Sequence, residues 1–150
     1  MDLARNIKID SVSRLRPTPA WNLGPERTVA DAVALMRMRN VGCILICADG
    51  RIVGIFTERD LLRRVLASGL PLTTPLVDCM TPQPVIVDPK DSISVAIRRM
   101  IDGGYRHLPV VHEGVPLGIL SVKRIVHYLV EHFPSTIRNL PPDMLGKPCF

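Results

Sequence analysis

Displaced by 64 residues, the sequence lays Thr28–Leu66 over Ser92–Val130 without a gap, and the apolar positions coincide along most of that length. A duplication of this size restricts the chain to two copies of one supersecondary unit, each too small to bury its own apolar faces well. Val29, Ala32, Val33 and Met36 fall over Ile93, Ala96, Ile97 and Met100. That i, i+3, i+4, i+7 spacing predicts an amphipathic helix in each copy.

Two short apolar runs follow in each copy. Ile44–Cys47 lies over Leu108–Val111, and Val53–Phe56 over Leu117–Leu120, with Asp49-Gly50 and Glu113-Gly114 between them. An Asp-Gly or Glu-Gly pair between apolar runs predicts a hairpin. Leu61, Leu62, Val65 and Leu66, matched by Ile125, Val126, Leu129 and Val130, then repeat the helical spacing after Thr57 and Ser121. A strand-like lead-in precedes each copy, Ala20–Leu23 before Pro25 and Pro84–Val87 before Pro89. The expected fold is therefore α/β (α+β): two β-α-β-β-α motifs packed as a pseudo-two-fold module. Residues 15–69 form the first motif, 70–83 a proline-bearing linker, 84–134 the second motif and 135–150 a proline-rich C-terminal tail.

Of the 150 residues, 47% are hydrophobic and 22% charged, enough apolar material for one compact core. No apolar run approaches the roughly 20 residues that cross a bilayer, so no membrane association is expected. Cys43, Cys47, Cys79 and Cys149 contain no C-x-x-C pair, and two of them sit in a strand-like run. This fits a reduced, cytoplasmic setting. The net charge of +5 attracts anions, yet the basic residues are scattered and only 4% of residues are aromatic. Nucleic acid is therefore a disfavoured partner.

Three segments, GIFTERDLL (54–62), GYRHLPVV (104–111) and GILSVKRIV (118–126), together with the repeat, resemble the CBS (cystathionine beta-synthase domain) family, in which two such motifs pair into one module. The resemblance covers roughly residues 15–134. It implies a non-catalytic regulatory module, an energy sensor that binds AMP, ADP or ATP between its motifs. S-adenosylmethionine is a further ligand of such modules. It also implies a homodimer formed through the helices, and a regulated protein partner that the sequence does not name.

The residues give that ligand a chemical basis. Thr57 and Asp60 lie three apart at a strand-to-helix junction, where a hydroxyl and a carboxylate can take a ribose diol. The resemblance assigns this pair to the ribose. The same pair would serve as a helix capping box, worth about 1 kcal/mol. By resemblance, Arg106, His107 and Lys123 face the phosphate, while Pro84 and Val85 present backbone to the adenine. Their plain structural roles would be surface charges, a hydrogen-bonded histidine and a core strand. The halves differ at the decisive positions: Arg124 replaces the carboxylate of Asp60, and Gly42-Cys43 replace Arg106-His107. One good site per chain is expected, with Ser121, Arg124, Arg59 and Trp21 outlining a weaker second one.

An enzyme is not expected. His127 and His132 stand five apart, a poor spacing for two ligands on one helical face, so no metal is called for. Ser121 has no evident His and Asp partners, and the chain lacks a GxxxxGK loop. Two alternatives to the sensor are a ligand-free dimerising interaction module and a weak nucleic-acid binder.

Overall fold

The computed structural model describes residues 2–134. The tail expected at 135–150, and Cys149 with it, lies outside the described residues. In chain order the elements are α1 (Leu3–Ile9), a 3-10 turn (Val12–Leu15), β1 (Asn22–Leu23), α2 (Val29–Arg39), β2 (Cys43–Ala48), β3 (Arg51–Thr57) and α3 (Glu58–Asp60). The helix begun by α3 continues as a π-helical stretch, Leu61–Leu66. A second 3-10 turn (Leu76–Asp78), β4 (Thr81–Pro82), α4 (Ile93–Gly103), β5 (His107–His112), β6 (Val115–Ser121) and α5 (Val122–His132) complete the order.

Local chemistry sets these boundaries. Thr28 caps α2 and exchanges hydrogen bonds with Asp31 in a capping box, and Ser92 caps α4 at the matching position. Both helices end on a left-handed residue, Asn40 (φ 52°) and Gly104 (φ 66°). The two hairpin turns place both central residues at positive φ, 52° and 74° for Asp49-Gly50, 49° and 81° for Glu113-Gly114. That is the turn whose twist matches paired strands. Each hairpin carries a bulge at the equivalent point, Ile46/Cys47 and Val110/Val111.

Strand order in the first half is β1-β2-β3-β4. β1 runs parallel to β2, and β3 and β4 are antiparallel to their neighbours. Around β5-β6 the same arrangement is reduced to single bridges, Val87 to Val110 in parallel and Thr18 to Ile119 in antiparallel. The expected lead-in strands are thus short: Asn22–Leu23 in one half, Val87 alone in the other.

Each half is completed by the segment that precedes the other half. The amides of Leu76 and Val77 donate to the carbonyls of Arg27 and Pro25, and those of Val12 and Ser13 donate to Asp91 and Pro89. Val29 N–H reaches the Thr74 carbonyl, as Ile93 N–H reaches Asp10. The repeat therefore reaches back to Asp10 and Thr74. The segment read as a linker holds a 3-10 turn and a strand of the first half's sheet, and α1 packs Leu3 and Ile7 against the second half's core.

Two main cores result. One gathers Val29, Ala32, Met36, Ile44, Ile46, Phe56, Val65 and Leu76; its counterpart gathers Val12, Val87, Ile93, Ala96, Met100, Leu108, Leu120 and Tyr128. A third cluster, Cys43, Leu45, Ile55 and Ile119, joins the halves across their sheets. Leu62 and Leu66 and their counterparts Val126 and Val130 face outward, each at least 50% exposed. No helix among the described residues is long and apolar enough to cross a membrane.

Candidate functional site

Among the described residues Asp60 is the one buried charged group. It stands in the first turn after β3, where Thr57 is the N-cap. Oδ2 of Asp60 accepts from the Thr57 amide (3.0 Å) and the Thr57 hydroxyl (3.1 Å), while the Asp60 amide donates back to Thr57 Oγ1 (3.2 Å). Oδ1 accepts from the Thr81 hydroxyl (3.0 Å) and pairs with Arg64 Nε at 3.3 Å. Arg64 also donates to the Met80 carbonyl (2.9 Å), which fixes the helix against the segment leading into β4. A carboxylate has about four lone-pair sites, so Asp60 is fully engaged. A buried ion is tolerated on these terms alone.

Sequence reasoning found Thr57 and Asp60 but not Thr81 or Arg64. Arg64 was signalled by its i+4 spacing from Asp60. Thr81 had no local signal, because its approach depends on the register of β4 against β3. Pro84 and Val85 follow β4 after Gln83; Val85 is exposed and Pro84 half-buried.

Beside this cluster the start of α3 meets the second half. Arg59 donates to the Gly104 carbonyl at 3.4 Å. Glu58 Oε1 occupies the space a side chain at Gly42 would need, and the His107 ring lies 3.5 Å from the position of a Cβ there. Burial lowers the pKa of His107, with the Glu58 carboxylate opposing and the Arg106 guanidinium adding to the shift. Burial likewise pushes the Cys43 thiol up to about 12, with Glu58 contributing, so it stays protonated. Cys43, Cys47 and Cys79 are free thiols.

Arg106 and Lys123 are exposed, and neither forms an ion pair among the described residues. Of the residues outlined for a second site, Trp21 packs against the first core and carries the Arg39 guanidinium 4.0 Å from its ring centroid. Ser121 caps α5 by accepting from the Arg124 amide. Arg124 is half-buried and its Nε is enclosed without a hydrogen-bond partner. No group of three or more His, Cys, Asp or Glu side chains among the described residues could hold a metal ion.

The family model of the CBS domain matches twice, at residues 14–67 and 76–131. The chain belongs to the CBS domain family. Its two matches make it a tandem CBS pair; the second begins at the 3-10 turn Leu76–Asp78 and the first within the equivalent turn Val12–Leu15. The chain is 37% identical over 102 residues (67% of this chain) to the meiotically up-regulated gene 70 protein of Schizosaccharomyces pombe, of which it spans 14%. It is 33% identical over 120 residues (78% of this chain) to CBSCBSPB2 of Arabidopsis thaliana, spanning 22% of that protein. The chain thus spans less than a quarter of these two relatives. With YhcV of Bacillus subtilis it shares 30% identity over 114 residues, 76% of this chain and 81% of the other.

Solved CBS structures have the same fold. The CBS domain protein NE2398 superposes with a TM-score of 0.75 at 29% identity, over 81% of this chain and 98% of the other. CBSX2 in complex with AMP gives 0.70 at 27% identity (81% and 96%). PAE2072 of Pyrobaculum aerophilum, complexed with AMP, gives 0.72 at 26% identity (81% and 99%).

Proposed function

We propose that this CBS pair is a non-catalytic regulatory module that binds one adenine nucleotide per chain, AMP foremost, with its ribose on Thr57 and Asp60. The observation that carries the reading is the buried Asp60 carboxylate, held between hydroxyls from two segments. The AMP complexes of two similar structures support the choice of ligand.

The ribose hydroxyls would replace the Thr57 and Thr81 hydroxyls on the carboxylate, one O–H donor for another, and Arg64 would keep the charge balanced. Such an exchange is nearly neutral in hydrogen bonding. Selectivity then falls to the base, beside Pro84 and Val85, and to the phosphate, facing Arg106, His107 and Lys123. A pKa lowered by burial keeps His107 a neutral hydrogen-bond partner near pH 7, leaving the two exposed cations to neutralise the phosphate. A homodimer belongs to the same reading: Leu62, Leu66, Val126 and Val130 are exposed apolar side chains at positions related by the repeat.

Calorimetric titration of nucleotide-stripped protein with AMP, ADP, ATP, GTP and S-adenosylmethionine tests the proposal. One adenine nucleotide per chain, weakened tenfold or more by Asp60→Ala, supports it. No heat with any of the five from folded protein overturns it in favour of an interaction module that uses no nucleotide.

A further inference from the structure

The repeat brings a guanidinium to the point where its other copy has a carboxylate, since Arg124 lies 64 residues after Asp60. The two groups are resolved differently. Asp60 has every lone pair engaged, whereas Arg124 Nε is the one buried side-chain nitrogen or oxygen without a hydrogen-bond partner among the described residues. Among the described residues no carboxylate pairs with Arg124, although Arg14, Arg27, Arg64 and Arg99 each meet an aspartate. Glu58, at the start of α3, faces Gly42 and His107, and no ion pair joins it to Arg124.

A guanidinium carries five N–H donors and accepts nothing. Buried donors in folded proteins find an acceptor with few exceptions, and a partly desolvated cation calls for a negative one. The same donors can meet a ribose diol only at its oxygens and offer its hydrogens no acceptor such as the carboxylate at residue 60. Ser121 adds a hydroxyl beside Arg124: its oxygen accepts the Arg124 amide at 3.3 Å, and its hydrogen is not committed to any acceptor among the described residues. Lys123 immediately precedes Arg124 in the chain, and the Val122 amide donates to the Arg106 carbonyl, which holds the Arg106 backbone at this end of α5.

We propose that Arg124 and Ser121 form a site for a small oxyanion, a phosphoryl or carboxylate group bound by the guanidinium fork without recognition of a sugar. The fork suits both groups, because each offers two oxygens to parallel N–H donors. The site uses the second half's own residues and stands whether or not Asp60 binds a nucleotide.

The test follows the arginine Nε–H signals of the full chain by nitrogen-15 NMR while inorganic phosphate replaces chloride at constant ionic strength. The Arg124 signal, identified by its loss in Arg124→Gln, is expected to shift and saturate. Followed by backbone amides near Ser121, phosphate binding should weaken tenfold or more in Arg124→Gln and stay within twofold in Asp60→Ala. Arg124→Lys, which keeps the charge and removes the fork, should weaken it at least threefold and serves if Arg124→Gln does not fold. Sodium acetate in place of phosphate separates the two sources: saturation by both assigns oxyanions in general, saturation by phosphate alone assigns phosphoryl groups. A drift of all arginine signals without saturation, an adventitious ion only, overturns the proposal. So does phosphate affinity that is unchanged in Arg124→Gln.

Discussion

The Thr81 hydroxyl donates to Asp60 Oδ1 at 3.0 Å across 21 residues of chain. That contact links the segment preceding the second half to the first half's buried carboxylate. Anything that occupies Asp60 therefore acts on the joint between the halves.

Thr81→Val removes one donor from a buried carboxylate while keeping the shape of the side chain. An unsatisfied acceptor of this kind costs about 1 to 3 kcal/mol, so the melting temperature should fall by several degrees. Saturating AMP should recover part of that loss, because a ribose hydroxyl supplies the missing donor. Differential scanning calorimetry with and without AMP reads both effects. A variant that melts lower and gains no more from AMP than the parent chain would contradict the proposed exchange.

Gly54 and Gly118 are equivalent in the repeat, yet they should respond differently to a methyl group. A Cβ at Gly118 would sit 2.8 Å from the Thr18 carbonyl oxygen, a backbone atom, whereas at Gly54 the tightest contact is the Met80 sulfur, which can move. Gly118→Ala should cost about 1 to 3 kcal/mol through overpacking and Gly54→Ala less. Urea denaturation of the two variants gives the comparison directly.

The sequence made the regular elements of the halves legible and left their exchange hidden. The helices at Val29 and Ile93 and both hairpins were readable because apolar spacing and turn residues are local signals. That Val12 serves the second half and Leu76 the first was not readable, since those amides bond across sequence distances that no local pattern marks. The same holds for Thr81 at the candidate site, while Thr57 and Asp60 were visible as a spaced pair. The outward position of Leu62 and Leu66 also escaped the reading, because helical spacing identifies a face without saying what covers it. α1 offers only Leu3 and Ile7 to the core, too few positions for periodicity to register.

Leu62, Leu66, Val126 and Val130 bear on the proposed homodimer. Leu62→Asp combined with Val126→Asp places two charges on these faces without touching Val65 or Tyr128, the buried residues of the same helices. Light scattering after size exclusion should show the parent chain at twice the mass of the double variant. A parent chain that is monomeric at micromolar concentration would rule out this face as a self-association surface.

Tyr128 ties α5 to the N-terminal segment through its hydroxyl, which donates to Asp10 Oδ2. Burial, and then the hydrogen bond to Asp10, push the Tyr128 phenol up to about 12. A folded-state pKa above the unfolded value of about 10 means that the neutral form is favoured by folding. The stabilisation is complete below pH 10 and is lost as the pH rises from 10 through 12. Tyr128→Phe should cost about 1.5 to 3 kcal/mol at neutral pH, the range for a hydrogen bond to a charged group, and should flatten the decline above pH 10. Urea melts of both proteins at pH 8, 10 and 11.5 check the sign and the window.

The difference between Asp60 and Arg124 can be reversed by one substitution. Arg124→Asp restores an acidic residue three positions after Ser121, so the second half regains the hydroxyl and carboxylate that the first half offers in Thr57 and Asp60. It also removes the enclosed Nε that has no partner, and with it the desolvation cost of an unsatisfied donor. The variant should therefore be no less stable than the parent chain and should bind a second adenine nucleotide. Its affinity there should fall short of the first site, because Gly42 and Cys43 supply neither the charge of Arg106 nor the hydrogen-bonding ring of His107. Calorimetric stoichiometry moving from one toward two AMP per chain, with phosphate binding at residue 124 abolished, is the expected result. A stoichiometry still at one would show that the carboxylate is not what separates the two halves, and would shift the cause to those missing phosphate partners.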